Sequence, residues 1–131
     1  MPIQLEPVFM RLRDILAAHA ADFRIAKNSA HCYMLEAAVG PATLQSWGGK
    51  ARKPTVPVAW VDIRKAYVSY HLMGLSGNPG LVKMLSTGLR ARMQGKTCFN
   101  FRVIDEDIFP ELANITAQSL HMMKQTGYIA S

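Results

Sequence analysis

The clearest alternation of hydrophobic and polar positions lies in residues 58–73, which read VAWVDIRKAYVSYHLM. Side chains alternate between the two faces of a β-strand, so this pattern predicts a hairpin whose loop consists of Lys65 and Ala66. Opposite residues then pair as Arg64 with Tyr67, Ile63 with Val68, Asp62 with Ser69, Val61 with Tyr70, Trp60 with His71 and Ala59 with Leu72.

This pairing sorts the hairpin into two faces. The face suited to a protein core is Ala59, Val61, Ile63, Val68, Tyr70 and Leu72. The opposite face is polar with interspersed aromatic residues and comprises Trp60, Asp62, Arg64, Tyr67, Ser69 and His71. A two-residue turn favours Asn-Gly or Asp-Gly. Lys-Ala therefore leaves open a slip of one residue, which would exchange the two faces.

The N-terminal part of the chain predicts a helix, two strands and a loop. Residues with helical spacing favour a helix that begins at Glu6-Pro7 and ends near Ala21. One face of this helix carries Val8, Phe9, Leu12, Ile15, Leu16 and His19. Residues 23–27 and 31–37 alternate as two strands joined by a turn. The stretch from Gly40 to Pro54 is typical of a long loop. Its Trp47 either anchors the loop to the core, the favoured alternative, or serves a binding site.

The C-terminal part predicts short helices, a strand and a long helix. The residues Ser76-Gly77-Asn78-Pro79 indicate a break and a helix start. Ser86 either caps a second short helix or lies within a single longer one, and Gly95 is a candidate stop. Residues 97–103 alternate as a last strand, with Phe99, Phe101 and Val103 on one face and Cys98, Asn100 and Arg102 on the other.

The last helix is predicted from the helical spacing of Ile108, Phe109, Leu112, Ile115, Leu120 and Met123. Asp107 is the predicted N-cap, which places Pro110 in the first turn, where its missing N–H is not needed. The order of elements favours one α+β domain over residues 1–131. Its predicted architecture is an antiparallel sheet of about five strands with the N- and C-terminal helices packed on one face.

Charge and cysteine content narrow the function classes only slightly. Fifteen Lys and Arg against nine Asp and Glu give a formal net charge of +6. The basic residues are scattered, so the charge permits an anionic partner, but a solvated surface is the favoured explanation. Two cysteines, no signal-peptide pattern and no apolar run of membrane-spanning length lead us to expect free thiols and a cytoplasmic protein without a membrane partner.

The segments IRKAYVSYHLM and RMQGKTCFNFRVIDEDIF resemble the YdhG-like family, bacterial domains of unknown function. The resemblance is strongest from Val61 to about Leu112 and extends more weakly to the first helix and to HCYMLEA. The resemblance implies a frataxin-like two-layer sandwich. Some members of the family have been regarded as iron chaperones, so iron is the cofactor that the resemblance implies, by analogy alone. Ala66 stands where the family favours a residue such as Asn.

Metal-binding patterns are weak. In the first helix Glu6 and Asp14 are interrupted by Arg11 and Arg13, so the acidic ridge associated with iron handling is missing. Asp107 and Glu111 share a helical face and are the weak candidates for a cation site, although carboxylates near a helix N-terminus are usually explained by the helix dipole. The four histidines, His19, His31, His71 and His121, show no metal-ligand spacing.

The polar face of the sheet is the strongest candidate site. His71 opposite Trp60 is either a structural stacked pair, which is favoured, or a titratable site residue. Cys98 is either an inert thiol, which is favoured, or a thiol activated by Arg102. The predicted ligand-binding residues are Trp60, Asp62, Arg64, Tyr67, His71, Asn100 and Arg102, together with Trp47.

These features favour a non-enzymatic binding module for a protein partner or a small ligand. The alternatives are a frataxin-like iron carrier and weak nucleic-acid binding with Trp60 and Tyr67 as stacking groups, although nucleic acid is not the expected partner. Self-association through the exposed aromatic residues also stays open. No nucleophile–base pair is evident in the sequence, so an enzyme has the least support.

Overall fold

The computed structural model describes residues 4–76 and 78–130. Gly77, part of the predicted break before the short helices, lies outside the described residues. The elements in chain order are α1 (Glu6–Ala17), β1 (Arg24–Asn28), β2 (Cys32–Ala38), α2 (Pro41–Ser46), β3 (Thr55–Ile63), β4 (Val68–Leu72), α3 (Pro79–Lys83), α4 (Thr87–Arg90), β5 (Cys98–Phe101) and α5 (Phe109–Gln125).

The five strands form one antiparallel sheet in the order β1-β2-β3-β4-β5. Each strand therefore pairs with its neighbours in sequence, and helices stand at both ends of the chain. This confirms the predicted α+β class and the five-stranded antiparallel sheet. Strand β2 pairs with β3 and strand β5 pairs with β4, so these two strands flank the predicted β3–β4 hairpin.

The predicted hairpin register is confirmed. Trp60 pairs with His71 and Val61 with Tyr70, while the N–H of Arg64 donates to the carbonyl of Tyr67 across 2.8 Å. The one-residue slip that Lys-Ala left open does not occur. The physical reason is burial: a slip would expose Val61 and Tyr70, which are fully buried, and would bury Arg64.

Strand β3 contains a bulge that the alternation did not predict. Its pairing with β2 shifts between Leu35–Ala59 and Glu36–Pro57, so Val58 is the extra residue. Val58 and Ala59 are both fully buried despite being consecutive. Pro57 has no N–H to give to the ladder, and a bulge is one of the places where a strand tolerates proline.

The long helices pack on the apolar face of the sheet. Helix α1 buries Val8, Phe9, Leu12 and Leu16 and lies against β3 and β4. Helix α5 reaches the same face, because the Tyr70 hydroxyl forms a buried hydrogen bond with Thr116 Oγ1. The buried apolar residues form one cluster between the sheet and the helices. Each large side chain fully buried there contributes about 1.5–3 kcal/mol of burial free energy.

Several predicted boundaries are wrong. Helix α1 ends at Ala17 rather than near Ala21, and a 3-10 turn at Ala20–Asp22 follows it. The Gly40–Pro54 segment is not all loop, because α2 occupies Pro41–Ser46. Strand β5 covers four residues, so Val103 lies beyond it and is 56% exposed rather than in the core.

The caps of the C-terminal helices are partly as predicted. Asn78 accepts a hydrogen bond from the N–H of Leu81, and Ser86 accepts one from the N–H of Leu89, so two short helices form instead of one. Asp107 does not cap α5. The N-cap residue is Ile108, and no side chain of the described residues forms a capping hydrogen bond there. The carboxylate of Asp105 acts one turn earlier, where its Oδ1 accepts the N–H groups of Asp107 and Ile108.

Candidate functional site

The second face of the sheet, here called the open face, carries the polar side chains of the hairpin and of β5. Helices α1 and α5 both pack on the opposite side, and most of these side chains keep part of their surface accessible to solvent. The open face comprises Cys32, Met34, Trp60, Asp62, Arg64, Tyr67, Ser69, His71, Cys98, Asn100 and Arg102.

Strand pairing arranges the open face into rows that cross the sheet. One row runs from Met34 through Trp60 and His71 to Cys98. The adjacent row runs from Cys32 through Asp62 and Ser69 to Asn100. Of the eight predicted ligand-binding residues, the structure therefore places Trp60, Asp62, His71 and Asn100 in two neighbouring rows, with Arg64, Tyr67 and Arg102 at the hairpin end.

Trp60 and His71 form a stacked pair at the centre of the open face. Their ring centroids are 4.4 Å apart and their planes differ by 13°. Cross-strand pairs of this kind stabilise a sheet, and the stack fixes both rings relative to the backbone. The stacked structural pair, which was the favoured interpretation of these two residues, is therefore present.

The sequence pattern did not predict that Cys98 and His71 are neighbours. The Sγ of Cys98 lies 3.8 Å from Nε2 of His71, because the β4–β5 register makes them cross-strand partners. The thiol also lies 3.5 Å from Oδ1 of Asn100, which accepts a hydrogen bond of 3.1 Å from Ser69 Oγ. Their shared alternation was visible in the sequence, but the register between the two strands was not.

The protonation equilibria of this pair keep both groups neutral. Burial raises the pKa of the Cys98 thiol above its usual value. Burial is also the main cause that lowers the pKa of His71, and the positive charge of Arg64 lowers it further, while Asp62 acts in the opposite direction. A reactive cysteine needs a lowered pKa, so the arrangement holds a thiol beside a neutral imidazole rather than a thiolate–imidazolium pair.

Asp62 links the open face to the β2 side of the sheet. Its Oδ2 lies 3.5 Å from Nη2 of Arg64, whose side chain is 54% exposed. Burial, assisted by a hydrogen bond to Asp62, raises the pKa of the Cys32 thiol to about 12. Both described cysteines are free and both thiols are protonated at neutral pH.

Trp47 does not belong to the open face. It follows α2 and packs against the hydrophobic core, with the guanidinium of Arg52 5.9 Å from its ring centroid. Helix α2 is held to the C-terminal segment, since the N–H of Ala42 donates to Gly127 and Thr43 Oγ1 donates to Tyr128. The packing of Trp47 against the core agrees with the favoured prediction that it anchors this segment.

The weak cation candidates are not arranged as a pair of free ligands. Both carboxylate oxygens of Glu111 are engaged by Ser86, one by its backbone N–H at 2.8 Å and the other by its hydroxyl. Asp107 is exposed. Among the described residues, no group of three or more His, Cys, Asp or Glu side chains could hold a metal ion.

Two depressions lie outside the open face. The larger depression, of about 500 Å³, is formed around α3 and the turn before β5. The smaller one, of about 250 Å³, lies between α5 and the segment that follows β4. Neither is lined by an open-face residue.

Comparison with known proteins adds no relative. No protein-family model, no curated protein and no solved structure matches the chain. The resemblance to the YdhG-like family therefore stays a prediction. In the ranges 4–76 and 78–130, no helix has the length and apolar character needed to cross a bilayer.

Proposed function

We propose that the protein is a non-enzymatic binding module that holds a protein partner on the open face. The observation that carries the proposal is the set of part-exposed aromatic and polar side chains fixed by cross-strand contacts, above all the Trp60–His71 stack. The Ser69–Asn100 hydrogen bond fixes the neighbouring row. Side chains that are already held lose little conformational entropy on association.

The position of both depressions outside the open face favours a protein over a small ligand as the partner of this face. Small molecules usually bind in concave sites that bury most of their surface, and both depressions lie away from this face. Protein interfaces, in contrast, are enriched in tryptophan, tyrosine and arginine. Trp60, Tyr67 and Arg64 supply all three residue types on one face.

Charge indicates what the partner presents. Arg64, Lys65 and Arg102 are exposed at the hairpin end of the open face, and Asp62, which lies 3.5 Å from Arg64, is the acidic residue at this end. An acidic patch on the partner complements this end electrostatically and steers the encounter. The apolar ring edges of Trp60 and Tyr67 then contact its uncharged part.

The other function classes have less support from the same contacts. Catalysis by Cys98 lacks a thiolate, because burial raises its pKa. Base stacking on Trp60 competes with His71, which already covers one face of the indole. Iron carriage through Asp107 and Glu111 would require Glu111 to leave Ser86.

The test compares two variants of equal charge change. Arg64→Glu/Arg102→Glu alters the open face, whereas Lys50→Glu/Lys53→Glu alters exposed residues in the segment after α2. Each substitution lowers the net charge by two, so both variants start from +6 and end equal. Partners are captured with immobilised protein from an extract of the cells that produce it, identified by mass spectrometry, purified and titrated by calorimetry.

We expect the purified partner to bind the wild type and the Lys50/Lys53 variant with similar affinity. We expect the open-face variant to bind it at least tenfold more weakly, because two charges that face the acidic patch of the partner are reversed. If both variants bind the partner equally weakly, the interaction depends on the net charge of the protein and not on the open face. Unchanged binding by the open-face variant would reject this face as the interface.

A further inference from the structure

The larger depression combines an apolar lining with two exposed lysines. Leu75, Pro79, Val82 and Met93 supply the apolar surface, and Lys83 and Lys96 also line it and are exposed to solvent. Its volume of about 500 Å³ lies within the range of sites that hold small molecules. None of these six residues belongs to the open face, so the depression is independent of the function proposed above.

The uncharged polar side chain that lines the depression already has hydrogen-bond partners within the protein. Asn78, which also lines it, uses Oδ1 to accept the N–H of Leu81 and Nδ2 to contact Sδ of Met122. Its side chain therefore offers little to a polar ligand. Among the described residues that line the depression none is acidic, and the ion pairs of the described chain include neither Lys83 nor Lys96.

We propose that this depression binds the anion of a medium-chain fatty acid. The apolar lining takes the acyl chain, because burying methylene groups is favourable. The carboxylate stays in the solvent-exposed part of the depression, between the ammonium groups of Lys83 and Lys96. Lysine suits this position, since its aliphatic stem lies along apolar surface while its charged end remains in water.

The first test is a calorimetric titration with hexanoate, octanoate and decanoate below their micelle-forming concentrations. Burial of each additional methylene tightens Kd by about three- to fourfold. We therefore expect affinity to rise steadily with chain length and decanoate to saturate at one site. Affinity that is equal for all three acids, or no saturable binding of decanoate, would overturn the proposal.

The second test separates charge from apolar contact. Decanol, which has the chain but no charge, should bind at least fivefold more weakly than decanoate. Lys83→Glu/Lys96→Glu should weaken decanoate binding at least tenfold, whereas Lys50→Glu/Lys53→Glu, with the same change in net charge, should leave it unchanged. All four lysines are exposed, so neither variant disturbs the core.

Location is checked with the methyl resonances of Met93 and Val82, which should shift on addition of decanoate, while those of Met34 on the open face should not. Shifts at Met34 instead would place the ligand on the sheet and overturn the assignment. Binding to vesicles of anionic phospholipid without saturable binding of decanoate would also overturn it, in favour of a membrane surface as the occupant.

Discussion

A single buried hydroxyl pair connects the sheet to the last helix. Thr116 Oγ1 donates to the carbonyl of Leu112 across 2.8 Å, so it accepts the hydrogen bond from the Tyr70 hydroxyl. Both residues are fully buried, and burial raises the pKa of Tyr70 well above its ordinary value. The Tyr70 hydroxyl is thus always the donor. Removing its acceptor should therefore lower the free energy of unfolding more than removing the hydroxyl itself.

This asymmetry predicts the outcome of a double-mutant cycle. Thr116→Val leaves the Tyr70 hydroxyl buried without an acceptor and should lower the free energy of unfolding by about 1–3 kcal/mol. Tyr70→Phe removes only the donor and should cost about 1 kcal/mol. The double variant should be no less stable than Thr116→Val alone. Urea unfolding measures all three, and strictly additive losses would contradict the assignment of donor and acceptor.

His71 makes stability depend on pH. Burial lowers its pKa below the ordinary value of 6.5, so between the two values the unfolded chain binds more protons than the folded protein. The stabilisation is therefore complete above about pH 6.5 and is lost as the pH falls through the pKa of the folded protein. We expect the free energy of unfolding to decrease over this interval.

The check is urea unfolding between about pH 7.5 and pH 5. His71→Gln should flatten the decrease, whatever it does to stability at neutral pH. His121→Gln alters an exposed histidine on α5 and should keep the slope of the wild type. Equal slopes in the two variants would mean that another group is responsible.

At the scale of elements, short helices are held by a few identifiable side chains. Helix α4 has only four residues, so its own hydrogen bonds contribute little. Ser86 caps its N-terminus by accepting the N–H of Leu89, and Glu111 of α5 accepts the N–H of Ser86 in turn. The chain of contacts ties α4 to the long helix.

Ser86→Ala should therefore lower the free energy of unfolding by about 1 kcal/mol, as is usual for loss of an N-cap. Thr87→Ala, at the next and exposed position, should change it by no more than about 0.5 kcal/mol. Thermal unfolding of both variants decides the matter. Equal effects would mean that helix propensity rather than the cap controls this region.

At the scale of the whole molecule, the two edges of the sheet differ. The β5 edge is covered by the preceding turn, since the N–H of Gln94 donates to Cys98 and that of Asn100 to Arg92. The β1 edge is exposed along all five residues. Its bulge between Ile25 and Lys27, together with its charges, is the usual protection of an edge against pairing with another chain.

Removing that protection should promote self-association. Lys27→Ile replaces a charge on the β1 edge next to Ile25, which is 44% exposed, and should give concentration-dependent growth of the scattering mass. Lys50→Ile makes the same exchange outside any strand and should leave the mass unchanged. If both variants associate equally, surface hydrophobicity rather than strand pairing is the cause.

Local patterns in the sequence determined the hairpin, the amphipathic faces of α1 and α5, and the caps at Asn78 and Ser86. Each of these depends on residues a few positions apart, where alternation, helical period and capping chemistry act directly. The face shared by Trp60, Asp62 and His71 follows from the same alternation. Much of the candidate site was therefore predictable, although the turn residues Lys65 and Ala66 argued against the register that burial enforces.

Tertiary structure alone decided what depends on distant parts of the chain. Helix α2 forms in a segment rich in Gly and Pro because Gly127 and Tyr128 supply its hydrogen-bond partners, and a Cβ at Gly40 would collide with that segment. Cys98 meets His71 only through the β4–β5 register. Such contacts join residues tens of positions apart, and packing of the whole core, not local preference, selects them.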